Sequence, residues 1–208
     1  MAARIALTLA ALLFAAAYAL PRRLSPLEQC SGDWSFVSFL SALKQAVAKK
    51  DRAAFVKMLA PDVLVNFGGA RGREAFASEW SFDPKATGNV WGQLIKMLKM
   101  GCARDGNVRI IPSLIMQADA DEDADWVLTL PGARLDKETG GASAKPKVEP
   151  WTVASVTSRA GDLVNGMTLP DGRTGYISDD QLYEPGGHRM TIEKRGGKWT
   201  ITAFVAGD

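Results

Sequence analysis

The sequence is poor in the residues that most often perform chemistry at a protein site. Its 208 residues include a single histidine, which leaves no histidine cluster for a metal ion. Cysteine occurs only twice, without the C-x-x-C spacing of a redox motif or a zinc site. No serine stands in a G-x-S-x-G motif, and the glycine-dense residues 68–72 lack the Lys-Ser/Thr pair of a phosphate loop. We therefore expect no metal and no cofactor, and we find no recognisable catalytic motif.

The sequence also lacks an excess of positive or negative charge. Lys and Arg total 25 against 23 Asp and Glu, a net charge of +2, and the basic residues are scattered along the chain. Nucleic acid is therefore not an expected partner, because binding it requires a basic patch or stripe. With 47% hydrophobic and 23% charged residues, the composition is that of an ordinary globular protein. The length suits one domain of moderate size or two small ones.

The first nineteen residues have the pattern of a secretory signal peptide. Arg4 supplies the positive start, residues 5–17 form an uncharged apolar run, and Ala17 and Ala19 flank Tyr18 as a small-x-small cleavage site. The run is shorter than the ~20 residues that span a bilayer. We predict cleavage after Ala19 and a periplasmic or secreted protein that meets the membrane only through this segment. The alternative is a buried N-terminal helix.

Export changes how the two cysteines are interpreted. In an oxidising compartment, Cys30 and Cys102 are compatible with one disulfide. Two unrelated buried thiols are the alternative if the protein stays in the cytosol.

Residues 33–117 carry mainly helical periodicity with short strand patterns between the helices. Asp33 is suited to cap a first helix that ends near Lys50, and Asp51 is suited to cap a second. The second helix is predicted over residues 52–59, further helices over residues 73–80 and 90–100, and strands over residues 63–67, 108–111 and 113–117.

The acidic stretch DADEDAD, residues 119–125, begins like a calcium loop. In that register Ala124 stands where the loop requires glycine, and Leu130 stands where it requires a closing glutamate. We interpret the stretch as a solvated connector.

From Trp126 onward, helical periodicity gives way to short strands and turns. The segment LPDGRTGYISDDQLYEP, with DLVNGMTL before it, resembles the end of a bacterial Src-homology-3-like domain. The matching residues are Asp171, Gly172, Gly175, Tyr176, Ile177 and Leu182. The front half departs from that pattern, because ARLDKETGG stands where an L-N-V-R-x-x-P-like strand is usual. The resemblance implies a small all-β barrel over residues 126–185. It also implies a peptide-binding groove formed by Trp151, Tyr176 and Tyr183, which as an alternative belong to the barrel core or to a seam with the rest of the chain.

A second resemblance covers the rest of the chain. Residues 44–80 resemble the opening of a nuclear-transport-factor-2-like (SnoaL-like) domain, and the closing EKRGGKWTITAFVAGD is similar to its last two strands. This implies an α+β host, with helices packed on a curved antiparallel sheet that is shaped like a cone. The predicted organisation is a signal peptide at 1–19, a host at 20–125 and 186–208, and a barrel inserted at 126–185. We expect the insertion to be removable without unfolding the host. Two tandem domains are the alternative.

The cone of such a fold is where a small ligand would bind. A two-residue turn at Gly196 and Gly197 places Ile192 opposite Ile201, and continued pairing places His188 opposite Val205 on the face lining the cone. The candidate pocket residues are His188, Asn66, Trp80 and Trp199. A structural role for the single histidine is the alternative.

These features together favour an exported, non-enzymatic binding or accessory module of the cell envelope. Its expected partner is an envelope protein, a peptide or a cell-wall component, bound through the Src-homology-3-like domain. The alternative is a small-molecule-binding protein, or an isomerase or dehydratase, that uses the cone pocket. Such folds serve both purposes, so fold alone does not decide between them.

Overall fold

The computed structural model describes residues 23–117, 125–137, 146–160 and 163–207, which form a mixed α+β protein. Within these residues there are four α-helices and two five-stranded sheets. The proposed signal peptide lies outside the described residues. So do most of the acidic stretch at 119–125 and most of the loop at 137–147.

The helices all precede the second sheet, and three of the four begin after a residue whose side chain caps them. They are α1 Trp34–Lys49, α2 Arg52–Met58, α3 Arg73–Glu79 and α4 Val90–Met97. Asp33 accepts hydrogen bonds from the backbone N–H groups of Ser35 and Phe36, and Asp51 accepts one from Ala54. Both predicted caps are therefore confirmed. Side-chain oxygens of this kind satisfy N–H groups that have no partner inside the helix.

The first sheet combines strands from the two ends of the described chain. Its members are β1 Leu59–Leu64, β2 Ala103–Asp105, β3 Val108–Ile111, β9 Arg189–Arg195 and β10 Lys198–Val205. Their order is β1-β10-β9-β3-β2, with β1 parallel to β10 and the other pairs antiparallel.

The second sheet is built from the residues between these two groups and is antiparallel throughout. Its strands are β4 Trp126–Thr129, β5 Val153–Ala160, β6 Leu163–Thr168, β7 Thr174–Gly175 and β8 Leu182–Tyr183. The order is β7-β6-β5-β4-β8, so β4 lies between β5 and β8.

Of the strand predictions in the helical region, one is shifted along the chain and one is wrong. The strand predicted at residues 63–67 begins earlier, at Leu59, and includes Pro61. Proline is tolerated there because β1 is an edge strand of its sheet. Residues 113–116 form a 3₁₀ turn instead of a strand. The turn is anchored by the buried hydroxyl of Ser113, which accepts a hydrogen bond from the N–H of Leu27 and donates one to the carbonyl of Met100.

The closing hairpin follows the predicted register for only half of its length. Arg195 pairs with Lys198 and Ile192 pairs with Ile201, as expected for a turn at Gly196 and Gly197. Beyond Ile201 a β-bulge at Thr202 adds one residue to β10, so Val205 pairs with Arg189 and not with His188. A bulge of this kind shifts every later pair by one residue. As a result, Phe204 is the residue opposite Met190.

The two sheets share part of one hydrophobic core. The larger cluster contains the helices, the first sheet and four residues from the second-sheet segment: Trp126, Leu128, Leu130 and Tyr183. A smaller cluster lies within the second-sheet segment and includes Val127 and Leu182. Every residue of β4 is buried, because one face of the strand packs in the larger cluster and the opposite face packs in the smaller one.

The predicted disulfide is confirmed. Cys30 and Cys102 are bonded, with 5.8 Å between their Cα atoms. The backbone beside the bond is paired as well, since the N–H of Gln29 donates to the carbonyl of Cys102 and the N–H of Cys102 donates to the carbonyl of Leu27. The N-terminal segment is thereby attached to the start of β2.

Candidate functional site

The four residues predicted to form one pocket lie in two separate places. Trp80 and His188 are in contact, with 4.7 Å between their ring centroids. Trp199 pairs with Lys194 near the turn of the closing hairpin, whereas Phe204, which contacts both Trp80 and His188, pairs with Met190 at the other end. The structure therefore does not bring Trp199 and His188 together.

His188 lies among aromatic rings. The edge of Trp80 meets it, and Phe204 stacks on it with 5.7 Å between ring centroids. Burial, with a smaller contribution from the charge of Lys96, lowers the pKa of His188 to about 4. The imidazole is therefore neutral at pH 7. Among the described residues, the buried indole N–H of Trp80 has no hydrogen-bond acceptor.

Asn66 shapes the loop between β1 and α3. Its side-chain amide donates to a carboxylate oxygen of Glu79 at 2.9 Å, and its side-chain carbonyl accepts from the N–H of Ala70 at 3.1 Å. Both of these contacts are made within the loop and the end of α3. They define a structural role for Asn66.

The three aromatic residues predicted to line a groove do not form one open surface. Tyr183 is buried in the larger core, and its hydroxyl donates to the carbonyl of His188. Trp151 is partly buried against the same core. Tyr176 is half-buried next to Asp136, with which it exchanges backbone hydrogen bonds. Two of the three side chains thus lie in the seam between the two sheets.

A cleft that the sequence analysis did not identify lies on the first sheet, between the start of α1, the β2–β3 hairpin and the β9–β10 hairpin. It consists of two adjoining depressions of about 420 and 400 Å³ that share Asp33, Arg104 and Arg109. This size is within the range of small-ligand sites. We call it the Arg109 cleft, and its other lining residues include Gln29, Trp34, Ser35, Asn107, Lys194 and Trp199.

Arg109 is the central residue of this cleft. Its side chain is only 5% exposed, and its guanidinium carbon lies 5.0 Å from the ring centroid of Trp199 and 5.7 Å from that of Phe36. Nη1 donates to the carbonyls of Gly106 and Val108, at 3.3 and 3.2 Å. Cation–π contacts of this kind hold the guanidinium in place.

One edge of the Arg109 guanidinium is incompletely paired. Its buried Nε has no hydrogen-bond partner in the described part of the chain. Nη2 lies 3.6 Å from the nearer carboxylate oxygen of Asp33, too far for a hydrogen bond. Asp33 is held in that position, because its other oxygen caps α1 and accepts from the hydroxyl of Ser35. The Ser35 hydroxyl, followed by the N–H of Phe36, keeps the pKa of Asp33 below its usual value.

Positive charge is concentrated around this edge. Arg104 lies directly opposite Arg109 on the neighbouring strand, and like charges in that position destabilise a sheet. Lys194 lies opposite Trp199 and reaches the hydroxyl of Ser35 at 3.3 Å. Three cations thus line a cleft in which Asp33 is the acidic residue. The sequence signal for this site is an arginine inside the otherwise apolar strand Val108–Ile111.

Metal and membrane sites receive no support from the described residues. In these ranges no three His, Cys, Asp or Glu side chains come together as a metal site would require. Likewise, no helix in the described part of the chain is long and apolar enough to cross a membrane.

Comparison with known proteins identifies no family. No family model matches the sequence, and no curated protein matches it. Solved structures overlap with it, and three of them illustrate the similarity. They are an NTF2-like designed protein (12% identity, covering 83% of this chain and 96% of that chain, TM-score 0.30), a protein of unknown function with a cystatin-like fold from Nostoc punctiforme (9%, 86% and 93%, 0.31), and a calcium/calmodulin dependent protein kinase II association domain from Xanthomonas campestris (11%, 90% and 97%, 0.35). Similarity at these TM-scores carries no argument about function.

Proposed function

We propose that the protein is an exported, non-enzymatic binding or accessory module of the cell envelope. The observation that carries this proposal is the Arg109 cleft. An open depression that contains the nearly buried, incompletely paired guanidinium of Arg109 and is also lined by the exposed Trp34 is arranged to receive a ligand. Buried charges are normally fully paired, because removing them from water without partners is costly.

We also propose the domain organisation that the sequence suggests. Residues 20–125 and 186–208 would form a cone-like host of the nuclear-transport-factor-2 type, and residues 126–185 a Src-homology-3-like barrel inserted into it. The sheet topology supports this division, since β1–β3 and β9–β10 share one sheet and β4–β8 form the other. In this proposal the barrel packs against the host through Tyr183 and Trp151, and the ligand binds at the Arg109 cleft.

Export is part of the proposal and is supported by the disulfide. Bonds of this kind persist in oxidising compartments and are rare in the cytosol of most organisms. N-terminal sequencing of the protein recovered from the periplasm should begin at Leu20. An intact Met1 at the membrane would contradict cleavage.

The enzyme alternative requires the cluster around His188. A general acid or base works best with a pKa near the operating pH. Burial instead lowers the pKa of His188 to about 4, and the rings of Trp80 and Phe204 occupy its surroundings. These contacts favour a structural role for the histidine.

The test is a pull-down from envelope extract with the immobilised mature protein. One variant, Arg104→Gln with Lys194→Gln, removes two exposed charges from the cleft. Its control, Lys57→Gln with Lys198→Gln, removes two exposed charges elsewhere, since Lys57 lies on α2 and Lys198 points to the opposite face of β10 from Trp199. We expect a partner that is retained by the native protein and the control but lost by the cleft variant. A failure to retain any partner, or retention that ignores the cleft, would refute the proposal.

A further inference from the structure

We propose that the Arg109 cleft binds the carboxylate of an acidic peptide segment, with Arg109 as the anchoring residue. This inference rests on the proposed function and adds to it the chemical class of the ligand and the atoms that recognise it.

The first argument is the geometry of the unpaired donors. Arginine carries five N–H groups, and Nε and Nη2 together form one of its two-pronged edges. In Arg109 the carbonyls of Gly106 and Val108 occupy Nη1, whereas Nε has no acceptor among the described residues and Nη2 faces Asp33 at 3.6 Å. A carboxylate in the cleft can accept a charge-assisted hydrogen bond from Nη2, whereas the unpaired Nε is buried and adds to the positive charge behind it.

The second argument is that Asp33 is held just beyond hydrogen-bond distance of Nη2. The Asp33 carboxylate would close onto Arg109 if it were free to move. Its Oδ1 is instead bound by the hydroxyl and N–H of Ser35 and by the N–H of Phe36. The Ser35 hydroxyl in turn accepts hydrogen bonds from Trp199 at 2.9 Å and from Lys194 at 3.3 Å. The Asp33 carboxylate therefore stays 3.6 Å from Nη2, which leaves the hydrogen-bonding capacity of Nη2 to a ligand.

The third argument is electrostatic. Arg104, Arg109 and Lys194 meet on one face of the sheet next to the start of α1, whose macrodipole adds positive potential. The exposed side chain of Arg104 donates from Nε to the carbonyl of Gly106 at 3.2 Å. An anion in the cleft offsets the repulsion between the two arginines. Asp33 contributes a fixed negative charge, which favours a singly charged carboxylate over a doubly charged phosphate.

The side chains that line the cleft indicate that the carboxylate belongs to a peptide. Trp34 is 83% exposed at the rim, an unusual position for so large an apolar side chain. With Trp199 it offers flat surfaces for apolar side chains next to the acidic residue. The exposed side chain of Asn107 also lines the cleft and supplies an amide that can pair with a peptide backbone.

The experiment uses the full mature protein and two matched peptides. The probes are acetyl-Ala-Phe-Glu-Phe-Ala-amide and the same peptide with Gln in place of Glu, and inorganic phosphate is a third ligand. Binding is measured by calorimetry and by the fluorescence of the cleft tryptophans. We expect the Glu peptide to bind at least about tenfold more tightly than the Gln peptide, the size of effect expected for hydrogen bonds to a charged group. Phosphate should bind more weakly than the Glu peptide.

Variants assign the effect to the cleft. Arg109→Lys keeps the charge and removes the planar guanidinium that lies over Trp199 and Phe36, and it should reduce the preference for Glu over Gln. Because Arg109 is buried, that variant is also checked for a native melting curve. If it does not fold, the exposed pair Arg104→Gln with Lys194→Gln decides the question, with an expected loss of at least about threefold in affinity for the Glu peptide. The control Lys57→Gln with Lys198→Gln should bind as the native protein does.

The outcomes separate this inference from the proposed function. Equal binding of the two peptides, tighter binding of phosphate, or binding that ignores the cleft variants would each overturn the inference. If an envelope partner still depends on the cleft in the pull-down, the proposed function stands and only the ligand class is wrong. If neither the partner nor the peptide binds, both fail.

Discussion

The hydroxyl of Tyr183 donates a hydrogen bond to the backbone carbonyl of His188 at 3.1 Å. This bond joins the last strand of the second sheet to the start of the closing hairpin of the first. Gly187 makes the close approach achievable, because a Cβ there would lie 2.9 Å from the ring of Tyr183. The two sheets are thus connected by a buried polar contact as well as by shared hydrophobic core.

Removing that contact should lower stability by a small, measurable amount. Tyr183→Phe keeps the ring in the core and deletes only the hydroxyl, so we expect the free energy of unfolding to fall by about 1 kcal/mol. Denaturant unfolding monitored by circular dichroism measures the change. Tyr176→Phe is the control, since among the described residues the Tyr176 hydroxyl has no hydrogen-bond partner. Equal stabilities of the two variants would contradict the role of the bond.

Deleting the second sheet should unfold the rest of the protein, contrary to the expectation from sequence. Trp126, Leu128, Leu130 and Tyr183 are all buried in the larger core. At about 1.5–3 kcal/mol for each buried side chain, their loss approaches the whole stability of a typical domain. Replacing residues 126–185 by a short Gly/Ser linker should therefore abolish the cooperative thermal transition. A sharp two-state melt of this variant would show that the first sheet and its helices are stable alone.

His188 should make the protein less stable in mild acid. Its pKa is lowered from 6.5 to about 4 in the folded state, so between these values the unfolded state binds more protons. The free energy of unfolding should fall as the pH decreases through this window, by at most about 1.4 kcal/mol per pH unit from this group. His188→Gln removes the titration and should flatten the decline between pH 7 and pH 5. Parallel stability curves for the two proteins would exclude this contribution.

Loss of the disulfide should lower the free energy of unfolding. The bond joins residues 72 positions apart, and the chain-entropy model assigns a closed loop of that length about 4 kcal/mol. The double variant Cys30→Ala with Cys102→Ala should unfold at a correspondingly lower denaturant concentration than the native protein. Reduction of the native protein should produce a similar shift. Mass spectrometry of the native exported protein after alkylation should detect no free thiol at either cysteine, and two modified thiols would contradict the bond.

The sequence by itself determined the features that depend on neighbouring residues. Asp33 and Asp51 cap their helices because a short side chain one residue before a helix reaches its first N–H groups. Gly196 and Gly197 form the hairpin turn because both adopt positive φ, which glycine tolerates. The pairing of Cys30 with Cys102 was predictable because the chain has only these two cysteines.

Only the tertiary structure decided the features that depend on residues distant in the chain. The bulge at Thr202 is stabilised by its contacts with Thr191 and Glu193 across the hairpin, and it places Phe204 instead of Ala203 opposite Met190. The candidate pocket was divided, and the Arg109 cleft was created, by the order of strands in the first sheet. That order places residues 104, 109, 194 and 199 beside the start of α1. Local propensity carries no information on such contacts, because strand pairing and burial are settled by the packing of the whole chain.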